Sequence, residues 1–93
     1  MNDAIVVRDR NGHTAILVGQ GPTYVQLIEM RSSALTVSRL TEDAYADRGF
    51  RAIDYGVPRA ARHFLAHRGG VGDAARIALE ACLRADGAAT HTK

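Results

Sequence analysis

Basic side chains recur on one side of a helix that the sequence predicts in its last third. At about 100° per residue, Arg59, Arg62 and His63 fall together on one face of this helix, and Arg68 follows shortly afterwards. The opposite face carries apolar side chains, those of Ala61, Phe64 and Leu65. Guanidinium and imidazolium groups bind phosphate oxygens, so we predict that the four basic residues bind nucleic acid. An ordinary solvated helix face is the alternative interpretation.

The positive charge of the chain is concentrated toward the same end. Residues 1–55 carry six arginines against seven acidic residues, whereas residues 56–93 carry six basic residues against three acidic ones. The two parts therefore have net charges of −1 and +3, within a total of +2. Because opposite charges attract over long distances, an anionic partner should meet the C-terminal part first.

The segment from Arg62 to Leu79 resembles the helix-turn-helix of DNA-binding proteins. The residues that match that pattern are Leu65, Ala66, Gly70, Val71 and Leu79. The segment departs from it at Gly69, where a larger apolar residue is usual, and at Arg76, where an aliphatic side chain is normally buried. Beside Asp73, the start of the second helix offers only glycine and alanine, so it has almost no donors for base edges. We therefore expect contact with phosphates or with nucleic-acid shape, and not sequence-specific recognition.

A histidine pair suggests a metal site as a further alternative. On a helix, the four-residue spacing of His63 and His67 can place two imidazoles on one metal ion. Zinc enzymes with this spacing have a glutamate after the first histidine, whereas Phe64 stands here. Only Asp73 or His91 is available as a third ligand, so a metal-dependent enzyme is the weakest interpretation. We predict no catalytic residue, no metal site and no cofactor.

The size and composition of the chain limit its function. Its 93 residues are 46% hydrophobic and 24% charged, the balance of one globular domain. Because a domain of this size hides only about 60–65% of its unfolded surface, we expect no deep pocket for a small-molecule substrate. No apolar run reaches the about 18 residues that span a bilayer. Charged residues interrupt the first ten positions, so we expect no secretory signal peptide there. The single cysteine, Cys82, is predicted to be a core residue, and we expect a cytoplasmic protein without membrane contact.

Strands are predicted to come first along the chain. Apolar and β-branched runs over residues 4–8, 14–18, 24–31 and 35–40 alternate with turn residues such as those of Asn11-Gly12. Thr41 is predicted to cap a short helix that closes at Gly49, and residues 50–55 are predicted to form a fifth strand. The expected fold class is α+β, with a small antiparallel meander or SH3-like barrel of four or five strands and a C-terminal two-helix hairpin.

Helices are predicted to follow, because the last third of the chain changes from β-branched residues to alanine. Pro58 suits the first turn of one helix, and Gly69-Gly70 would stop it. Asp73 is predicted to cap a second, mostly buried helix that ends at Gly87. The single domain 1–93 thus divides into a mainly β part (1–56), two helices (57–87) and a flexible tail (88–93).

Two classes of function fit these features. The leading hypothesis is a small non-enzymatic regulatory protein that contacts nucleic acid, or a nucleic-acid-bound machine, through its basic helix face. The alternative is a protein–protein interaction module, a small regulator or inhibitor that could form a homodimer. Such a module would use a strand edge or the apolar second helix.

Overall fold

The structure, a computed structural model, describes residues 4–31, 34–66 and 71–91. These residues form five strands and three helices. In chain order, the elements are β1 (Ile5–Arg8), β2 (Thr14–Gln20), β3 (Tyr24–Arg31), β4 (Ala34–Thr41), α1 (Glu42–Arg48), β5 (Arg51–Ala52), α2 (Val57–Leu65) and α3 (Asp73–His91). The predicted α+β class is confirmed.

The five strands form one antiparallel sheet in the order β4-β3-β2-β1-β5. The first four strands pair with their neighbours in the chain, as the short turns between them require. Among the described strands, β4 and β5 lie at opposite edges and do not pair with each other. The sheet is therefore open, and the SH3-like barrel that we considered as an alternative is not confirmed.

Helices α2 and α3 cover one face of the sheet. The buried residues of this core are Val6, Ile16, Ile28, Leu35, Ala60, Ala61, Ala75, Leu79 and Cys82. Strand side chains alternate between faces, so every second apolar residue of β1, β2 and β3 contributes to this layer. Cys82 is 5% exposed, and its burial raises the pKa of the thiol, in agreement with the predicted core role.

The other face of the sheet is covered by the short helix α1 and the segment after it. Thr41 Oγ1 accepts a hydrogen bond from the Ala44 N–H at 3.1 Å, which confirms the predicted N-cap. The helix closes at Gly49, whose φ of 74° places it in the left-handed region that favours glycine. Tyr45 and Phe50 stack with ring centroids 4.9 Å apart and pack against the strands beneath them.

Some predicted boundaries were wrong. Strand β5 has only two residues, because Tyr55 N–H bonds back to the Ile53 carbonyl and the chain turns away from the sheet. Helix α3 continues through Gly87 to His91, because a glycine inside a helix costs only about 1 kcal/mol and alanines surround this one. Residues 88–91 of the predicted tail thus belong to α3, and residues 92 and 93 lie outside the described residues.

The prediction that α3 is mostly buried was also only partly right. Ala75, Leu79 and Cys82 face the core, but Ile77 is 63% exposed and Ala74 is exposed as well. One sheet of short strands covers only one side of a helix, so the opposite side stays in solvent whatever its composition. Within the described residues, no helix combines the length and the hydropathy needed to cross a membrane.

Candidate nucleic-acid interface

Helix α2 presents the basic side chains that the periodicity predicted. Arg59, Arg62 and His63 are exposed, while Ala60 and Ala61 on the same helix are buried against α3 and the sheet. Neither guanidinium forms an ion pair with a carboxylate among the residues that the structure describes. The charges of Arg59 and Arg62 are therefore available to an external anion.

Residue Arg68, the fourth predicted site residue, lies outside the described residues, as do His67 and the predicted helix stop at Gly69-Gly70. Residues 66–72 separate α2 from α3, so seven residues stand where a helix-turn-helix usually has three or four. Within that connection, Val71 bridges to Leu35 and the Gly72 N–H bonds to the Leu35 carbonyl. Val71 and Gly72 thus lie beside β4 at the edge of the sheet, and the length of the connection differs from that of the turn in the DNA-binding motif.

The arginine at the start of α2 is held by an aromatic ring. The Arg59 guanidinium lies over the ring of Tyr55, 5.1 Å from its centroid. A cation at this distance is attracted to the ring face, and the contact uses none of its N–H donors. Arg59 is thus oriented by Tyr55 while its hydrogen-bonding capacity remains available.

The sheet adds two arginines that the sequence analysis did not include. Arg8 of β1 and Arg51 of β5 are directly opposite each other in the antiparallel pairing, and both are exposed. Like charges in this position are destabilising, and no carboxylate among the described residues pairs with either. We call the resulting surface the basic face. Its members are Arg8, Arg51, Arg59, Arg62 and His63.

A pocket of about 220 Å³ opens within the basic face. It is lined by Arg8, Thr14, Tyr55, Ala60, His63 and Phe64. Arg8 Nε donates a hydrogen bond to Thr14 Oγ1 at 3.1 Å, which fixes one side of the guanidinium at the pocket wall. The pocket could not be predicted from the sequence, because its walls come from β1, β2, α2 and the segment before α2. Only folding brings these parts of the chain together.

A second polar cluster lies on the opposite face of the sheet, and we call it the buried network. Arg48 at the end of α1 donates from Nη2 to Glu29 Oε1 at 2.9 Å and to Asp9 Oδ2 at 3.1 Å. His13 Nε2 lies 3.1 Å from Glu29 Oε1, and Ser38 also hydrogen-bonds this carboxylate. Its members are thus Asp9, His13, Glu29, Ser38 and Arg48. They join the turn between β1 and β2 to β3, β4 and α1.

The two carboxylates of the buried network are held in their charged form. Burial by itself would raise the pKa of Glu29, but hydrogen bonds from Arg48 and Ser38 and the charge of Arg48 outweigh it, so the pKa is lowered. Burial likewise opposes ionisation of Asp9, and N–H donors of His13 and Asn11 together with Arg48 lower its pKa. Every buried side-chain nitrogen or oxygen in the described part of the chain has a partner. The network therefore has a structural role.

This network makes folding sensitive to acid. Because both folded-state pKa values lie below their ordinary values of 3.8 and 4.5, the stabilisation is present at neutral pH and is lost as the pH falls through the folded values. We expect the free energy of unfolding, measured by urea titration, to decrease steadily below about pH 5. The variant Glu80→Gln, which changes an exposed carboxylate on α3, should keep this dependence. A free energy of unfolding that is constant between pH 5 and pH 3 would contradict the assignment.

The metal site suggested for His63 and His67 stays a prediction, because His67 lies outside the described residues. No group of three or more histidine, cysteine, aspartate or glutamate side chains is arranged to hold an ion within residues 4–31, 34–66 and 71–91. His63 instead lines the pocket of the basic face, and its ring is 6.1 Å from that of Phe64.

No known protein family, curated protein or solved structure matches this chain. Sheets covered by helices on one face serve many unrelated functions, so the fold alone does not select one. The function is therefore inferred from the surface of the chain itself, and the basic face is distinguished there by its exposed basic side chains.

Proposed function

We propose that this chain is a small non-enzymatic protein that binds nucleic acid, or a nucleic-acid-bound assembly, through its basic face. The observation that carries this proposal is that α2 and the neighbouring strands β1 and β5 carry four exposed arginines and an exposed histidine without a carboxylate partner among the described residues. A phosphate backbone is the polyanion whose repeated charges suit such a surface.

The contrast between the two faces of the sheet supports the proposal. On the α1 side, Arg48 forms ion pairs with both Asp9 and Glu29. An arginine with a structural role in this fold is thus paired with carboxylates. On the helical side, Arg8 and Arg51 stand opposite each other at an electrostatic cost. An anionic ligand would neutralise the two guanidinium charges and relieve their repulsion. Binding of an anion would therefore explain why the two arginines lie opposite each other.

Binding through phosphates predicts a steep dependence on salt. We expect fluorescently labelled oligonucleotides to bind at low ionic strength, with log affinity falling linearly against log salt. The slope is about −0.7 per phosphate contact for single strands and about −0.9 for B-form duplexes. The measured slope divided by this value therefore gives the number of phosphate contacts. Fluorescence anisotropy at several salt concentrations measures both quantities. If neither single-stranded nor duplex oligonucleotides bind at low salt, the proposal is wrong.

An interaction with protein is the second candidate, and the exposed part of α3 favours it. Ile77 is 63% exposed, and Ala74, three residues earlier on the same helix, is exposed too, so the two side chains form a small apolar patch. A second copy of the chain is one partner that would cover this patch. Light scattering across the micromolar range tests the homodimer, for which we expect a rise in mass with concentration. A constant monomer mass would exclude the homodimer.

A further inference from the structure

We infer that the pocket in the basic face holds one unpaired nucleobase, so that the ligand is a single-stranded nucleic acid. This inference rests on the proposed function and adds to it the form of the ligand. The pocket adjoins the basic face, because Arg8 and His63 line it and the ring of Tyr55, which also lines it, lies beneath the Arg59 guanidinium. A strand whose phosphate contacts Arg59 therefore passes close to the pocket.

The size of the pocket suits a single ring system. Its volume of about 220 Å³ lies below the roughly 300–1,000 Å³ of pockets that enclose a drug-sized ligand. A complete dinucleotide cofactor would not fit, whereas one base with its sugar outside would.

The chemistry of the walls distinguishes a base from a phosphate. Tyr55 and Phe64 provide aromatic rings and Ala60 an apolar wall, none of which offers charge to an anion. Aromatic side chains stack on the faces of unpaired bases, and polar groups at the rim bond to the edges of those bases. Arg8, Thr14 and His63 supply such groups here. The phosphates then remain outside the pocket, on Arg59 and Arg62.

A duplex cannot use this pocket without breaking a pair. Its bases are stacked and hydrogen-bonded inside the helix, so extruding one breaks both its pairing and its stacking. A duplex would thus keep the phosphate contacts alone, and a single strand would add the stacked base.

The test compares three oligonucleotides of equal length: a single strand, a duplex, and an abasic single strand that keeps the phosphates and lacks the bases. We expect the single strand to bind about 5- to 150-fold more tightly than the abasic strand, the gain for stacking one base. If the abasic strand binds as tightly as the normal strand, the inference is wrong while the proposed function stands. If no strand binds at low salt, the proposed function itself fails.

A variant that fills the pocket tests whether the base binds at this position. Thr14→Phe places a ring in the pocket without changing the charge, and phenylalanine is favourable in a strand. We expect this variant to bind the single strand no better than the abasic strand, with its duplex affinity unchanged. The matched control is Thr36→Phe, a strand threonine of β4 whose cross-strand partner is Glu29, on the α1 side of the sheet. Wild-type affinity of folded Thr14→Phe for the single strand would overturn the inference, and if that variant does not fold, the abasic comparison decides.

Discussion

Replacing Arg48 by alanine is expected to lower the free energy of unfolding by about 1.5–3 kcal/mol, less than for a fully buried ion pair because the Arg48 side chain is 30% exposed. The reason is that Arg48 is the cation shared by Asp9 and Glu29, whose side chains are 4% and 0% exposed. Without it, the two carboxylates would lose their shared cation and four hydrogen bonds, and their like charges would repel each other. Urea denaturation followed by circular dichroism measures the loss.

The matched control is Arg76→Ala, which removes an exposed arginine from α3. A surface substitution of this kind usually changes stability by no more than about 0.5 kcal/mol. Arg48→Lys should fall between the two, because an ammonium group keeps the charge but cannot reach both carboxylates with a planar fork. A loss below about 1 kcal/mol for Arg48→Ala would show that the carboxylates are hydrated or neutral in the folded protein.

Replacing Arg59 and Arg62 together by glutamine should weaken oligonucleotide binding by roughly tenfold to a hundredfold at about 50 mM salt. The two changes remove two cations from the basic face, and both side chains are exposed, so the fold should tolerate them. For a single strand, the slope of log affinity against log salt should become shallower by about 1.4, since each lost phosphate contact contributes about 0.7. Anisotropy titrations at several salt concentrations give both values.

Net charge alone also affects binding, so the control must change the charge equally. The double variant Arg76→Gln and Arg84→Gln removes two exposed helical arginines from α3 and leaves the basic face intact. We expect it to bind nearly as tightly as the wild type, with an unchanged salt slope. Equal weakening by the two double variants would mean that oligonucleotides respond to total charge, and it would remove the case for a specific face.

Local sequence signals were sufficient for most of the secondary structure. The cap at Thr41 and the left-handed glycine at position 49 were identified because each depends on neighbouring residues alone. The exposure of Arg59, Arg62 and His63 followed from helical periodicity for the same reason. The length of β5 was overestimated because an alternating pattern continues beyond the point where the sheet offers hydrogen bonds.

The buried network had a signal in the sequence that the analysis did not use. Val25, Leu27 and Glu29 occupy alternate positions of β3 and therefore one face of the sheet, so a carboxylate follows two buried apolar residues. Such a position requires a cation nearby. The sequence does not identify this cation, because Arg48 is 19 residues away and contacts Glu29 only when α1 folds back over the sheet.

The amino-acid sequence by itself determined the order of strands and helices, the two caps of α1 and the basic side of α2, since these follow from spacing along the chain. The predicted cap at Asp73 was wrong, because α3 already includes this residue in its first turn. Only the tertiary structure decided that the sheet stays open, that Arg8 and Arg51 lie opposite each other, and that a pocket forms where β1 and β2 meet α2. The physical reason is that these features depend on contacts between residues far apart in the chain, and pairing register and packing set those contacts.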